Sequence, residues 1–415
     1  MAKKIFRGNA VAVAQVDHVT PANVEEDDIF TVTLENHAGV SSTISFTATA
    51  ATVQNVVEGL CALAVAAAAA ATVPWNAVTA TEDDTKLILT ADVAGVPFWC
   101  TAAATEGGGN DTQTHTRSVG TAVGGPSIWS DATNWAGTIY ANGDDVVVPA
   151  DLGTLIYGES YTATKPDTLT VEKGYAYAVG SQDHPLEVSL QSQATRTVEM
   201  AGNGTGQQFW ALNYAAACRV RQAPTSEAEG DFGLNLTGTN NTALYVQPDS
   251  DNASISVGAN AGDACEWATV LVERGQVDVG PDVVKNGAAA IDELQPLGGT
   301  VLCRATATAI YKRSGSGVCG YRGGDVTTVD CFAGQLDWEG DAAITSLSNA
   351  GGGYVNFDAG NGALTVTHGY LAKGYHVRDT KQRVTVTNGW DLVKCRRNDG
   401  TIDRGMDYTE AHSAI

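Results

Sequence analysis

The sequence predicts a mainly β protein: a small N-terminal α+β domain, ordered β-β-α-β-β, followed by a single-stranded parallel β-helix (a β-solenoid). Three observations lead there. Glycine is abundant, at 46 of 415 residues, and only 17% of residues are charged, a mixture that favours strands and tight turns over charged helices. One segment near residue 60 changes to a helical period. After residue 270, a glycine followed by an alternating strand recurs about every twenty residues.

Residues 1–120 are expected to form the α+β module. Segments 29–34 and 43–47 alternate apolar and polar side chains around His37-Ala-Gly39, which marks a β-hairpin. Val53, Val56, Val57, Leu60, Leu63 and Ala64 then repeat at three and four, with Thr52 placed as N-cap. A helix is expected over 53–71, ended by Pro74. Segments 86–90 and 96–100 read as two further strands with 92–95 as their turn, giving one antiparallel sheet with the helix on a face. The stretches 106–112 and 123–126 are linker-like, and the domain boundary is placed between them.

Residues 127–415 are expected to be the β-helix with a Trp-rich N-terminal cap. The glycine-led strands start at Gly275, Gly299, Gly317, Gly334, Gly353 and Gly374, spaced 24, 18, 17, 19 and 21 residues apart. A second lane runs through Ile310, Val326, Ile344, Leu364 and Val384. One such turn cannot bury its inward side chains alone, but stacked turns about 4.8 Å apart share a continuous core. A propeller would need longer repeats, and a sandwich would show hairpin signals. The stretch 157–265 has clear strands in a less regular register and is assigned to the same solenoid.

An open solenoid end exposes apolar side chains and strand edges. Trp129 and Trp135 lie just where the first turn is due, before the Gly143-Asp144 turn and the strand 145–149. We assign Trp129, Trp135, Gly143 and Asp144 to a structural cap. Segment 384–388, through Trp390 to Cys395, is the expected last strand and cap.

The formal net charge is −23, which opposes binding to nucleic acid phosphates. The small basic cluster Lys394, Arg396 and Arg397 is diluted by Asp399 and Asp403 and reads as a solvated turn. The eight cysteines form no zinc spacing and mostly lie in apolar runs; they read as reduced core residues, with a disulfide between stacked positions as the alternative. No apolar run is long enough to span a membrane, and no signal-peptide apolar region follows Lys3-Lys4. Synthesis in a cytoplasm is therefore expected.

No catalytic, metal or cofactor motif is present: no H-E-x-x-H, no G-x-S-x-G. Because β-helices commonly handle polysaccharide, Asp337 and Glu339 beside Trp338, and Asp278 one lane earlier, are the carboxylates to weigh. Alternation sends Asp337 outward if Leu336 and Trp338 point in, and solvated surface is then the plainer reading. Tyr354, Tyr370 and Tyr375 suit a sugar-binding strip, corner packing or a subunit contact. No catalytic residue is assigned.

The string F-T-V-T-L-E-N…S-S-T-I-S-F-T-A-T-A-A-T-V-Q-N-V-V-E-G-L, followed by L-I-L-T-A-D-V-A-G-V-P-F, resembles a module common in structural proteins of tailed bacteriophages. The opening F-R-G-N-A-V-A-V-A-Q-V-D-H-V-T-P is similar to the start of the same proteins. W-S-D-A-T-N-W…N-G-D-D-V-V-V-P resembles the lead-in to β-helices of phage and bacterial surface proteins, although the proline usual near Tyr140 is absent. The resemblance implies a non-enzymatic virion structural protein. Its N-terminal module would dock on the major capsid protein or another virion protein, and its β-helix would project as a decoration protein or spike. A homotrimer is implied in the same way. The alternatives are a phage tail fibre or tailspike that binds or depolymerises host surface glycans, and a bacterial adhesin.

Overall fold

The computed structural model describes residues 2–108, 112–191, 197–203, 206–223, 232–258, 265–372 and 375–392. It is mainly β, with 47% strand and 7% helix, and its dominant feature is a parallel β-solenoid of about ten turns. At one strand spacing per turn, that column is about 48 Å long.

Each turn contributes a strand to each of two parallel sheets. In the first sheet, Val146, Leu169, Val198, Cys218, Leu244, Val270, Leu294, Ile310, Val329 and Leu347 are successive register partners. All ten are fully buried. In the second, Ile255, Val277, Val301, Cys319, Leu336 and Val355 stack in the same way. Parallel pairing without slip keeps each inward side chain above another, so the apolar surface of every turn is covered by its neighbours.

The glycines sit where the coil bends. Gly299 accepts from Val318 N and Gly317 from Gln335 N, so each glycine carbonyl starts the next strand of the ladder. Gly299 has φ +68°, and a Cβ on Gly317 would lie 2.2 Å from the Gly299 carbonyl oxygen. Only glycine meets both conditions.

One register expectation changes. The second lane is not a straight column through Ile310, Val326, Ile344, Leu364 and Val384. Ile310 pairs with Val329, and Ile344 with Val366, while Val326–Ile344 and Leu364–Val384 are true partners. The strands there are six to eight residues long, and apolar residues two or three apart compete for the same slot in a sequence reading. The stretch 157–265 belongs to the same solenoid, as expected, and its less regular register shows as a shift between Gly238 and Asn241 in the pairing of Leu234–Val246 with Cys265–Val272. Gly374, Cys395 and the cluster Lys394, Arg396 and Arg397 lie outside the described residues.

The N-terminal module has its own core, separate from the solenoid's. Its strands are β2 (Val16–Ala22), β3 (Ile29–Asn36), β4 (Ser41–Thr47), β5 (Val78–Glu82), β6 (Leu87–Ala91), β7 (Phe98–Thr105) and β8 (Thr114–Thr121). Helix α1 (Val53–Ala69) starts at Thr52, whose hydroxyl accepts from Asn55 N, and buries Val56, Val57, Leu60 and Ala64. The expected single sheet is two: β5-β6-β2-β8 and β4-β3-β7. Segments 86–90 and 96–100 therefore do not pair through the 92–95 turn; β6 pairs with β2 and β5, and β7 with β3. His115 stitches the two sheets, its Nδ1 lying 3.1 Å from both Thr31 O and Ala103 O. Burial lowers its pKa, consistent with a neutral ring that donates from Nδ1.

The largest departure concerns the first residues. Strand β1 (Lys3–Ile5) belongs to the solenoid, paired parallel with β9 (Asp145–Val148). Phe6 enters the solenoid core. The chain thus begins in the coil, leaves to build the module over β2–β8, and returns at Trp129. The stretch 106–112 is the connection between β7 and β8, inside the module. Strand β9 is accordingly the second strand of its sheet and not the first.

Candidate functional site

Two features lie where the module meets the coil: the cap on the solenoid end and a cleft beside it. In the cap, Phe6 stacks on Trp129 at 5.3 Å between ring centroids. Trp135 meets Trp129 edge-on at 4.8 Å and Phe6 at 5.3 Å. Tyr140 closes the group, 5.0 Å from Trp135. The polar edges are satisfied: Trp129 Nε1 donates to Tyr140 Oη at 3.1 Å, and Trp135 Nε1 to Trp129 O at 2.9 Å. Offset and edge-on aromatic packing of this kind adds to area burial.

Gly143 takes φ +86°. Asp144, beside it, accepts from Ala141 N and Ala2 N, both at 3.0 Å. These main-chain donors hold its carboxyl below the usual range. Asp144 thereby ties the chain start to the turn that precedes β9. The sequence reading named Trp129, Trp135, Gly143 and Asp144 for this place; it did not name Phe6 or Asn134, which pack among them. Asn134 is fully buried; it donates to Gly125 O and Ile128 O and accepts from Ala10 N, all at 2.7 Å, so it pins the outgoing chain against the returning one.

The module rests on the coil through titratable and aromatic groups. Trp99 lies flat on the His184 imidazole, 3.5 Å apart with planes 2° from parallel. His184 Nε2 is 2.8 Å from Glu35 Oε1. His37 packs on Tyr157 at 5.2 Å. An antiparallel bridge between Val13 and Gly124 joins the two crossing segments.

Beside these contacts is a cleft of about 260 Å³, walled by Phe98, Trp99, Val119, Ile128 and Tyr157, with Glu159 in its lining. Glu159 Oε1 accepts from Ser130 N at 2.9 Å, and burial pushes its carboxyl up. Arg117 also lines the cleft, but its Nε and Nη2 make a two-pronged pair with the buried Asp17 carboxylate, each bond 2.8 Å.

The carboxylates weighed for sugar chemistry are all tied. Leu336 and Trp338 point into the core and Asp337 outward. Gln335 Nε2 and Asn356 Nδ2 donate to Asp337. Glu339 pairs with Arg322, and Asp278 with Arg304 through two bonds. Asp278 is not one lane over from Asp337: they share a column through Leu302 and Gly320, three turns apart. At about 4.8 Å per turn that is about 14 Å, beyond the span of a glycosidase pair. Tyr354 and Tyr370 lie on different sheets, so they do not form one strip. Among the described residues no group of His, Cys, Asp and Glu could hold a metal ion, and no helix is long and apolar enough to cross a membrane. The seven described cysteines are free thiols, so the disulfide alternative is not realised among them.

Together these features define a mainly β protein: a parallel β-solenoid interrupted near its start by a doubly tethered α+β module. Comparison with protein-family models, curated proteins and solved structures gives no match.

Proposed function

We propose that this chain is a non-enzymatic virion structural protein of a tailed phage, a capsid decoration protein or spike. In this reading the module seats on the major capsid protein or another virion protein, the solenoid projects, and three copies assemble. The observation that carries the reading is how exposed apolar surface is divided. Among the described residues, Val11, Val13, Ile29, Val40, Leu63, Val65, Val73, Val93 and Val119 are exposed large hydrophobics, and all belong to the module or its tethers. The coil contributes only Tyr177 and Tyr370 to that set. Exposed apolar surface gathered on one part of a molecule suits a contact face, and a polar coil suits a projecting one. The two tethers and the His184 contact fix the module on the coil, so a docked module would hold the solenoid at a set angle. The tied carboxylates support the non-enzymatic part of the reading.

Imaging of density-purified particles carrying a tag after residue 392 tests this. Tag density at a fixed distance from the shell or tail is the expected result, with a solution mass three times the 43.0 kDa chain. Absence of the chain from purified particles would overturn the reading. Release of reducing sugar from host glycans would replace it with the depolymerase alternative.

A further inference from the structure

The geometry points to the module–coil cleft as a receptor for a lysine side chain of a partner protein, its ammonium held by Glu159 and its methylenes by the aromatic and aliphatic walls. The inference does not depend on the virion reading.

Three observations converge. First, Glu159 is half-buried and accepts from Ser130 N, yet none of the ion pairs among the described residues includes it. A carboxylate withdrawn from water without a cation is costly, and an incoming ammonium relieves that cost. Second, the neighbouring charge is already cancelled. Arg117 spends two donors on Asp17, so the lining keeps one uncompensated negative charge, that of Glu159. An anion would meet Glu159 as a like charge. Third, the walls suit a long cationic stem. Trp99, Tyr157 and Phe98 offer ring faces and edges, and Ile128 and Val119 offer aliphatic surface. Lysine buries its stem along such surface while its head seeks a carboxylate or a ring face. The volume of about 260 Å³ exceeds one lysine side chain, which leaves room for a water. Val119, on the rim, is 51% exposed, and an apolar rim suits an apposed protein surface.

The pH dependence follows from burial. The Glu159 carboxyl is pushed up by desolvation; the Ser130 hydroxyl and the Ser130 and Trp129 main-chain donors oppose the rise, and Asp131 adds to it. Tyr140, Tyr157 and Arg117 are the other titratable groups near it. Lysine binding is therefore lost as pH falls through the raised carboxyl value, at a higher pH than an ordinary glutamate would set.

The test titrates the full chain with N-acetyl-lysine methylamide, its uncharged counterpart N-acetyl-norleucine methylamide, N-acetyl-glutamate methylamide and n-butylammonium. Binding is followed by shifts of the Trp99 and Tyr157 resonances. The lysine amide is expected to bind at least tenfold more tightly than the norleucine amide. Glu159→Gln, whose amide oxygen still accepts from Ser130 N, is expected to erase that preference without lowering the melting temperature. Trp99→Leu gives a second variant: it should weaken all apolar binding but keep the lysine-over-norleucine order. Equal binding of lysine and norleucine amides, preference for the glutamate amide, binding of butylammonium alone, or no shift with any probe would each overturn the proposal.

Discussion

The two ends of the solenoid solve one problem with different chemistry. At the start, Phe6, Trp129, Trp135 and Tyr140 cover the column with ring area. Towards the other end, cations do the closing, with Lys381 donating to Asp358 O and Gly360 O and Arg383 making the larger set of bonds. Arg383 is almost fully buried, and its guanidinium donates to the main-chain carbonyls of Trp338, Gly340, Phe357 and Gly362. Those carbonyls come from two successive turns, so one side chain laces the last described coils together. Asp379 fixes its backbone by accepting from Arg383 N and Val384 N. The first end is held mainly by packed ring area, with single hydrogen bonds at its polar edges. The second is held by directed bonds.

The sharpest way to break this contrast is at the aromatic end. Trp129→Ala removes the ring that touches Phe6, Trp135, Tyr140 and Trp210, and should cost about 3–5 kcal/mol. Nearest-neighbour coupling in a solenoid keeps such losses local. Amide exchange is therefore expected to speed up over 145–171 while 335–371 stays protected. Equal loss at both ends would mean that the coil unfolds as one unit.

Arg383→Met should show the reverse polarity at a smaller cost, about 2–4 kcal/mol, because buried carbonyls lose a charged donor while the stem volume is kept. Exchange should rise over 335–371 and not over 145–171. Arg383→Lys should recover little, since an ammonium cannot span four acceptors with the fork of a guanidinium. Full rescue by lysine would show that charge alone holds this end.

The same contrast explains what the sequence disclosed. Trp129 and Trp135 were legible because tryptophan is rare and their place before a Gly-Asp turn marks an apolar load at a boundary. Arg383 was not legible because its partners are main-chain carbonyls, which every residue has. Phe6 escaped for a topological reason: a strand of three residues carries no pattern, and its partner β9 lies about 140 residues away. Alternation around Leu336 and Trp338 did predict that Asp337 faces outward, since side-chain direction is local. Its ties to Gln335 and Asn356 depend on register, which spacing resolved only where loops were even. The cleft at Glu159 had no signal at all, because its walls come from five separated stretches of chain.

Asp144 supplies the finest test of the aromatic end. Its folded carboxyl lies below the ordinary value of 3.8 because Ala2 N and Ala141 N donate to it. A depressed carboxyl contributes stability that is present above the unfolded value and lost as pH falls through the folded one. The contribution should be about 1 kcal/mol or less, well under that of Trp129. Asp144→Asn should therefore loosen the first turn slightly at pH 7, read as faster exchange at the amides of Ala2 and Asp145. The gap between wild type and variant should close as pH falls below about 4. A gap that persists unchanged at pH 2 would show that the Gly143 turn, and not the carboxylate, anchors the chain start.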